Sequence, residues 1–160
     1  QRTIADESLE RKLITTRVHK SLEFIKSDVD NFYLPNLNGA DIYIYPTFII
    51  LFKDYKKFSI HDLQNVEVLA RASSFQEEQG VPRDSEVVGH TYKYTNKNGQ
   101  PDKRFNNNYE IPVVRYGDLQ LRSNSGINDR YQFSDFDKFI DFTKSFTTHL
   151  RVNLKMPVEK

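Results

Sequence analysis

The residues best suited to binding chemistry lie in one polar loop in the second half of the chain. Two adjacent cations, Lys103 and Arg104, follow Asp102, and a run of amides ends at Asn107 and Asn108. A guanidinium can bind a carboxylate or a phosphate through two parallel hydrogen bonds, whereas Asn side chains satisfy the backbone of their own turn. The loop therefore predicts either recognition of an anion, a peptide or a nucleic acid, or a self-stabilised structure in which Asp102 holds Arg104.

Basic and aromatic residues continue on both sides of this loop. Between His90 and Arg130, seven Lys or Arg residues oppose four acids, an excess of +3, with Tyr and Phe interleaved. Cations contact phosphates and rings stack on bases, so a nucleic-acid-binding accessory domain of a DNA-processing or defence protein is the alternative hypothesis. The excess is small, so a protein or peptide partner is the main expectation. The predicted binding residues are Lys97, Lys103, Arg104, Asn107, Asn108 and Arg115.

No sequence pattern for catalysis or metal binding stands out. Cys is absent, which excludes disulfides, thiolate zinc sites and cysteine nucleophiles, and the four His residues lack metal-ligand spacing. Asp102 followed by Glu110 resembles a metal-dependent nuclease pattern, but Pro112 stands where that pattern has a Lys. The sequence therefore predicts a protein that is not an enzyme and that has no cofactor and no metal site.

The bulk composition is ordinary for one soluble domain with an appendage. Hydrophobic residues make up 38% of the 160 residues, and the formal net charge of +1 gives no overall attraction to nucleic acid or membrane. The apolar run Tyr43–Phe52 contains Pro46 and is shorter than the roughly 18 residues of a membrane span. We therefore expect a cytoplasmic protein. Because the chain starts with Gln1 and its single Met is Met156, we also expect it to be a domain of a larger protein.

Two helices and a set of strands are predicted to position these residues. Apolar residues recur at steps of three to five between residues 5 and 33, which predicts a long helix that either connects domains or dimerises. Short strands separated by polar turns follow from Asp41 to Phe133. Ser134, with Asp137 three residues later, predicts the N-cap of a C-terminal amphipathic helix. The apolar face of this helix comprises Phe136, Phe139, Ile140, Phe146 and Leu150.

The order of these elements from Asp41 to Leu150 resembles the pleckstrin-homology (PH) and GRAM superfamily. By this analogy of element order, the resemblance implies an α+β fold: a PH-like curled antiparallel β-barrel of about seven strands, capped by the C-terminal amphipathic helix and preceded by the long N-terminal helix. The expected domains are a connecting helix at residues 1–38, the PH-like β-barrel domain at 39–151 and a tail at 152–160. The resemblance implies that the barrel is plugged by core residues of this helix and that these are not a partner surface: Phe136, Phe139, Ile140 and Phe146.

The run from Tyr92 to Asn108 is similar to a segment that recurs in bacterial multidomain proteins of unassigned function. There it has the form W-x-Y-x-N-K-x-G-x-P-D-x-R-F-x-x-N, and Tyr92 stands where Trp is usual. The similarity implies a module attached to other machinery, without an activity of its own. We expect a non-catalytic recognition or scaffolding module of a larger bacterial protein, which binds its partner through loops or an edge strand. Membrane lipid is not expected, because the acidic loop at Glu77–Glu86 opposes the weak basic excess.

Overall fold

The computed structural model describes residues 17–18, 22–36 and 39–150, and the chain divides into two compact units, Gln1–Leu63 and Gln64–Lys160. The described part of the first unit is a five-stranded antiparallel sheet in which each strand pairs with the next along the chain. Its strands are β1 Arg17–Val18, β2 Phe32–Leu34, β3 Asp41–Ile44, β4 Phe48–Asp54 and β5 Lys57–Asp62. The 3-10 turn Leu63–Asn65 follows β5.

The two faces of the first sheet carry different side chains, because alternate residues of a strand point to opposite faces. One face is aliphatic, and four of its side chains are fully buried: Leu34, Ile42, Ile44 and Ile49. The opposite face is mostly aromatic, and its buried cluster comprises Leu22, Tyr33, Tyr43, Tyr45 and Ile50. Tyr33 and Tyr43 stand directly opposite each other in the pairing of β2 with β3, and their ring centroids lie 5.0 Å apart.

The second unit is a four-stranded antiparallel sheet followed by one α-helix in its described residues. Its elements are β6 Val66–Gln76, β7 Glu86–Tyr92, β8 Glu110–Ser123, β9 Asn128–Phe133 and α1 Phe136–Leu150. The long strand β8 pairs with β6 along the whole length of β6. On its other side, the first half of β8 pairs with β7 and the second half pairs with β9.

The C-terminal helix is present where the sequence predicts it, and its N-cap lies one residue later than predicted. The Asp135 carboxylate accepts a hydrogen bond from the Lys138 backbone N–H at 2.9 Å, so Asp135 and not Ser134 is the cap. Phe139 and Phe146 are buried on the apolar face of α1. Phe139 packs directly on the backbone of Gly117 in β8, where a β-carbon would lie 2.1 Å from the ring.

The prediction of a closed PH-like barrel is wrong. The nine strands of the described residues form two separate antiparallel sheets, and neither sheet closes into a barrel. Strand propensity and turn signals locate individual strands, but they do not specify which strands pair. The chain passes from the first sheet to the second at Leu63–Asn65, and the short strands predicted from Asp41 to Phe133 give no sign of this change.

The prediction of a long N-terminal helix is also wrong for the part that the structure describes. Arg17–Val18 and Phe32–Leu34 are strands, and residues 22–31 contain no helix. Ser27 bonds locally instead: its hydroxyl accepts from the Val29 N–H at 3.2 Å, which competes with helical pairing. The remaining predicted helical residues, 5–16 and 19–21, and the predicted tail, 152–160, lie outside the described residues. No helix of the described chain is long and apolar enough to cross a membrane.

Candidate interaction surfaces

The polar loop singled out by the sequence, residues 93–109 between β7 and β8, is closed by its own hydrogen bonds. The Asn108 amide accepts from the Tyr94 N–H at 2.9 Å and donates to the carbonyls of Tyr94 and Asp102 at 2.7 and 3.2 Å. The Asn96 N–H donates to the Gln100 carbonyl at 2.8 Å. The Asn108 side chain therefore stabilises the loop by joining it to Tyr94 and Asp102.

Asp102 and Arg104 form the central ion pair of the 93–109 loop. The Asp102 side chain is buried, and the Arg104 Nε donates to its two carboxylate oxygens at 2.9 and 3.1 Å. The Arg104 Nη2 donates to the same carboxylate at 2.5 Å, and the Arg104 backbone N–H adds a fourth bond at 3.0 Å. These side-chain and backbone hydrogen bonds, followed by the charge of the guanidinium, lower the pKa of Asp102, and the same carboxylate raises the pKa of Arg104. This is the self-stabilised geometry.

The other predicted loop residues lie on the surface of the same loop. Lys97, Lys103 and Asn107 are exposed, and Phe105 stacks on Tyr94 with ring centroids 4.1 Å apart and an interplanar angle of 18°. Both rings keep substantial exposed area. The loop therefore presents a stacked aromatic pair flanked by cations.

Arg115 belongs to a different environment from the loop cations. It lies in β8, where its guanidinium carbon stands 3.9 Å from the centroid of the Phe136 ring, and one of its nitrogens lies 3.8 Å from the Glu86 carboxylate. Its side chain is about a third exposed. These contacts join β7, β8 and the first turn of α1, so Arg115 supports the packing of the second unit.

The buried carboxylate of Asp118 is the strongest electrostatic feature that the sequence analysis does not single out. The Arg130 Nη2 lies 2.6 Å and the Arg71 Nε 3.5 Å from its Oδ2, and both arginines remain substantially exposed. The three residues occupy adjacent strands, with Arg71 directly opposite Asp118. Two cations compensate the desolvation of one carboxylate, which is a structural arrangement.

The described residues contain no group of three or more His, Asp or Glu side chains placed to hold a metal ion. An open depression of about 650 Å³ is lined by the start of β6 and by the β8–β9 turn, including Asn65, Glu67, Asn124 and Ser125. Amides, one carboxylate, a hydroxyl and two valines line it. These described lining residues include no nucleophile paired with a base.

Among the strands that the structure describes, β5 lies at the edge of the first sheet and offers a second surface. The direction of its backbone groups follows from its neighbours. The Tyr45 N–H donates to the Phe48 carbonyl, and the Leu63 N–H donates to the Thr47 carbonyl. Backbone groups alternate in direction along a strand, so residues 49 and 51 of β4 bond to β5. Their partners there are His61 and Ser59. The N–H and C=O groups of Phe58 and Ile60 therefore point away from β4.

The side chains of the same two residues are apolar and exposed. Phe58 is 51% exposed and Ile60 is 61% exposed. Phe58 joins an aromatic patch formed by Phe24, Phe52, Tyr55 and Phe58, in which Phe24 lies 5.6 to 6.1 Å from each of the other three ring centroids. The Tyr55 hydroxyl also donates to Glu23 at 3.3 Å. We call the outward backbone and apolar side chains of Phe58 and Ile60 the β5 edge.

The sequence carries a partial signal for the β5 edge. Phe58 and Ile60 alternate with Ser59 and His61, which is the pattern of a strand with one apolar face. The pattern alone suggests that this face is buried, because it does not show that β5 ends its sheet. The binding residues proposed from sequence all lie in the second unit, so sequence reasoning missed this surface.

Comparison with known proteins finds no matching family model, no similar curated protein and no similar solved structure. The function must therefore be inferred from the geometry of these surfaces.

Proposed function

We propose that this chain is a non-catalytic protein-interaction module of a larger bacterial cytoplasmic protein, and that an extended segment of a protein partner adds to its first sheet beside β5. The single observation that carries this proposal is the coincidence, on Phe58 and Ile60, of outward backbone groups and exposed apolar side chains. An added strand satisfies the backbone groups and covers the apolar surface in one step. Main-chain hydrogen bonds give such a contact its affinity, and alternate side chains give it specificity.

The strand period sets the side-chain pattern expected in the partner segment. Residues paired with Phe58 and Ile60 project onto the face that carries the aromatic patch, whereas the residue between them projects toward Ser59 and His61. Ser59 and His61 are joined by a 2.8 Å hydrogen bond and make the β5 edge of that otherwise aliphatic face polar. The partner segment is therefore expected to be apolar at two alternate positions and polar at the position between them.

Selection from a displayed library of random nine-residue peptides tests this proposal with the full chain. Recovered peptides should alternate as described, and their binding should slow hydrogen exchange at the amides of Phe58 and Ile60. Ile60→Lys should abolish binding, because a charge at a strand edge blocks strand addition. Val88→Lys is the matched control, since Val88 is 47% exposed on β7, an edge strand of the second sheet. Peptides that bind the Ile60→Lys variant as tightly as the wild type would refute strand addition at β5.

Nucleic-acid binding by the 93–109 loop is the second candidate function, favoured by the Tyr94–Phe105 stack. Exposed rings beside Lys97 and Lys103 are the elements that hold single strands by stacking and phosphate contact. Arg104 and Asn108 serve the loop itself. Fluorescence anisotropy with labelled single-stranded DNA and RNA at low and physiological salt tests this function. Binding that weakens steeply with salt supports it, and no binding at low salt eliminates it.

A further inference from the structure

We infer that Arg71 and Arg130, held together by the buried carboxylate of Asp118, form a binding site for a phosphate group on the second sheet. The site belongs to the second unit, so it goes beyond the proposed function of the β5 edge and does not rest on it. Arg71 lies directly opposite Asp118 in the pairing of β6 with β8, and Arg130 pairs with Gln120, two residues further along β8. Residues two apart on a strand share a face, so these side chains project from the same face of the sheet.

The opposite face of β8 is the one that packs on α1. Gly117 precedes Asp118, and a β-carbon on Gly117 would project toward the ring of Phe139. The helix therefore covers the face that does not carry the arginines. The side chains of Arg71 and Arg130 are 54% and 40% exposed, whereas that of Asp118 is 2% exposed. A solute can reach the two guanidinium groups but not the carboxylate that positions them.

The two guanidinium groups converge on one oxygen atom. The Arg130 Nε and Nη2 bind the Asp118 carboxylate at 3.3 and 2.6 Å, and the Arg71 Nε lies 3.5 Å from the same Oδ2 that Nη2 binds. The Nη2 of Arg130 and the Nε of Arg71 are therefore no further apart than the sum of their two distances to Oδ2, about 6.1 Å. Asp118 offsets the repulsion between two like charges at this separation, which is its structural role.

Most of the hydrogen-bond donors of this pair are not used by Asp118. A guanidinium carries five N–H donors, and Arg130 directs two of its own at the carboxylate. Among the residues that the structure describes, Asp118 is the one partner of both guanidinium groups. The remaining donors lie on the exposed side of the pair, already held in place. Preorganisation of this kind lowers the entropic cost of binding a second anion.

A phosphate group fits this pair better than a carboxylate does. It has three terminal oxygens that can accept from both guanidinium groups at once, and an arginine binds it through two parallel hydrogen bonds. Its charge at pH 7 is about −1.5 to −2. In the paired rows from residue 118 to residue 122, this face carries three arginines and two carboxylates, a net charge of +1: Arg71, Arg122, Arg130, Asp118 and Glu67.

Titration of the full chain with inorganic phosphate at pH 7, followed by amide nuclear magnetic resonance, tests the inference. Sodium chloride keeps the ionic strength constant, because salt screens exposed charges. We expect saturable shifts at the amides of Arg71 and Arg130, with a dissociation constant in roughly the millimolar range, because each exposed ion pair contributes little. Arg71→Ala should weaken binding about tenfold or more while the Arg130–Asp118 pair remains. Arg71→Lys should also weaken it, because a lysine keeps the charge but loses the planar fork.

Arg83→Ala is the matched control, since Arg83 is an exposed arginine in the loop before β7 and should bind phosphate as the wild type does. Two further titrations use acetate and a nine-residue peptide with a central phosphoserine. Tighter binding of the phosphopeptide than of inorganic phosphate supports the site and identifies a phosphorylated protein segment as its ligand, and equal binding supports a site for the free anion. Shifts that acetate reproduces at equal concentration, or that persist unchanged in Arg71→Ala, would overturn the inference.

Discussion

Gly117 and Phe139 provide the most direct test of how α1 packs on the second sheet. Gly117 lies in the middle of β8, opposite Ala72 of β6 and Phe133 of β9. A β-carbon at Gly117 would lie 2.1 and 2.2 Å from the Cγ and Cδ1 atoms of Phe139, where ordinary contacts begin at 3.4 Å. The backbone of Gly117 does not have a positive φ. The three nearest atoms that a β-carbon at this position would meet all belong to the ring.

The structure sets the expected change in the free energy of unfolding for each single substitution. Gly117→Ala requires the ring to retreat by about 1.3 Å, the difference between 2.1 and 3.4 Å, in a fully buried site. Overpacking of this kind costs about 1–3 kcal/mol. Phe139→Ala removes a buried ring and should cost about 3–5 kcal/mol. Gly→Ala in a backbone that accepts alanine stabilises by about 0.4–1 kcal/mol, because it restricts the unfolded chain.

The sign of the Gly117→Ala effect should therefore reverse when the ring is absent. In the wild type the substitution destabilises, whereas in a Phe139→Ala background it should be neutral or stabilising, with a coupling energy of about 1–3 kcal/mol. Denaturant unfolding followed by far-ultraviolet circular dichroism measures all four chains of this cycle. Gly89→Ala is the control, since nothing lies within 4 Å of a β-carbon there. Strictly additive costs, or an unchanged midpoint for Gly117→Ala, would refute the proposed packing.

Two further predictions concern the ion pairs of the second unit. Asp102 has a lowered pKa in the folded protein, so the stability that it contributes is complete above the pKa of the unfolded chain, about 3.9, and is lost as the pH falls through the folded value. Asp102→Asn should flatten this dependence of loop stability on acid pH. Hydrogen exchange of the loop amides between pH 5 and about pH 2 measures it. If the variant shows the same pH dependence as the wild type, Arg104 does not control the stability of the loop. Arg130→Ala should lower the free energy of unfolding by about 1.5–3 kcal/mol, because Arg130 binds Asp118 at 2.6 Å. Arg71→Ala should lower it by less than about 1 kcal/mol, because Arg71 lies 3.5 Å from Asp118. Equal denaturation midpoints for these two variants would contradict this ranking.

The helix α1 could be predicted from the sequence because its signals are local. An acidic residue at the start, aromatic residues at helical spacing and lysines on the other face agree with one another, and they specify a helix before any tertiary contact forms. Phe139 and Phe146 are buried as the spacing requires. The N-cap shifts from Ser134 to Asp135 because adjacent residues can both cap, and only the backbone geometry decides between them.

The prediction of an N-terminal helix was wrong because the spacing of the apolar residues also fits a strand. Residues at steps of three to five include Phe32, which is followed by Tyr33 and Leu34 as a run of three buried residues. Such a run fits a short strand buried on both faces, and here it pairs with Ile42–Ile44 of β3. Local bonds at Ser27 separate this strand from the preceding residues. Periodicity without capping signals is therefore weak support for a helix.

The barrel prediction failed for a different reason, since it required a pairing that no local signal contains. Strand signals located much of the chain correctly, but the order of strands depends on contacts between distant residues. β8 illustrates this limit, because one strand of 14 residues pairs with three neighbouring strands. Its sequence contains Pro112 and Gly117, residues that usually interrupt a strand. Pro112 is tolerated where β8 pairs with His90 of β7, and Gly117 is required by the ring of Phe139.

The edges of the two sheets explain why we propose the interaction surface on β5 and not on another strand. On β7, the pairing with β8 shifts between Val87 and Gly89, and a bulge of this kind bends the strand and disturbs its outer row of donors and acceptors. On β5, the pairing with β4 is regular from Phe58 to Asp62. An added strand needs an uninterrupted row of backbone groups, which β7 lacks and β5 has. The described edge strand β6 also pairs regularly with β8, but it exposes no large apolar side chain, whereas β5 exposes Phe58 and Ile60. A regular edge with two exposed apolar side chains is an aggregation hazard unless a defined partner covers it.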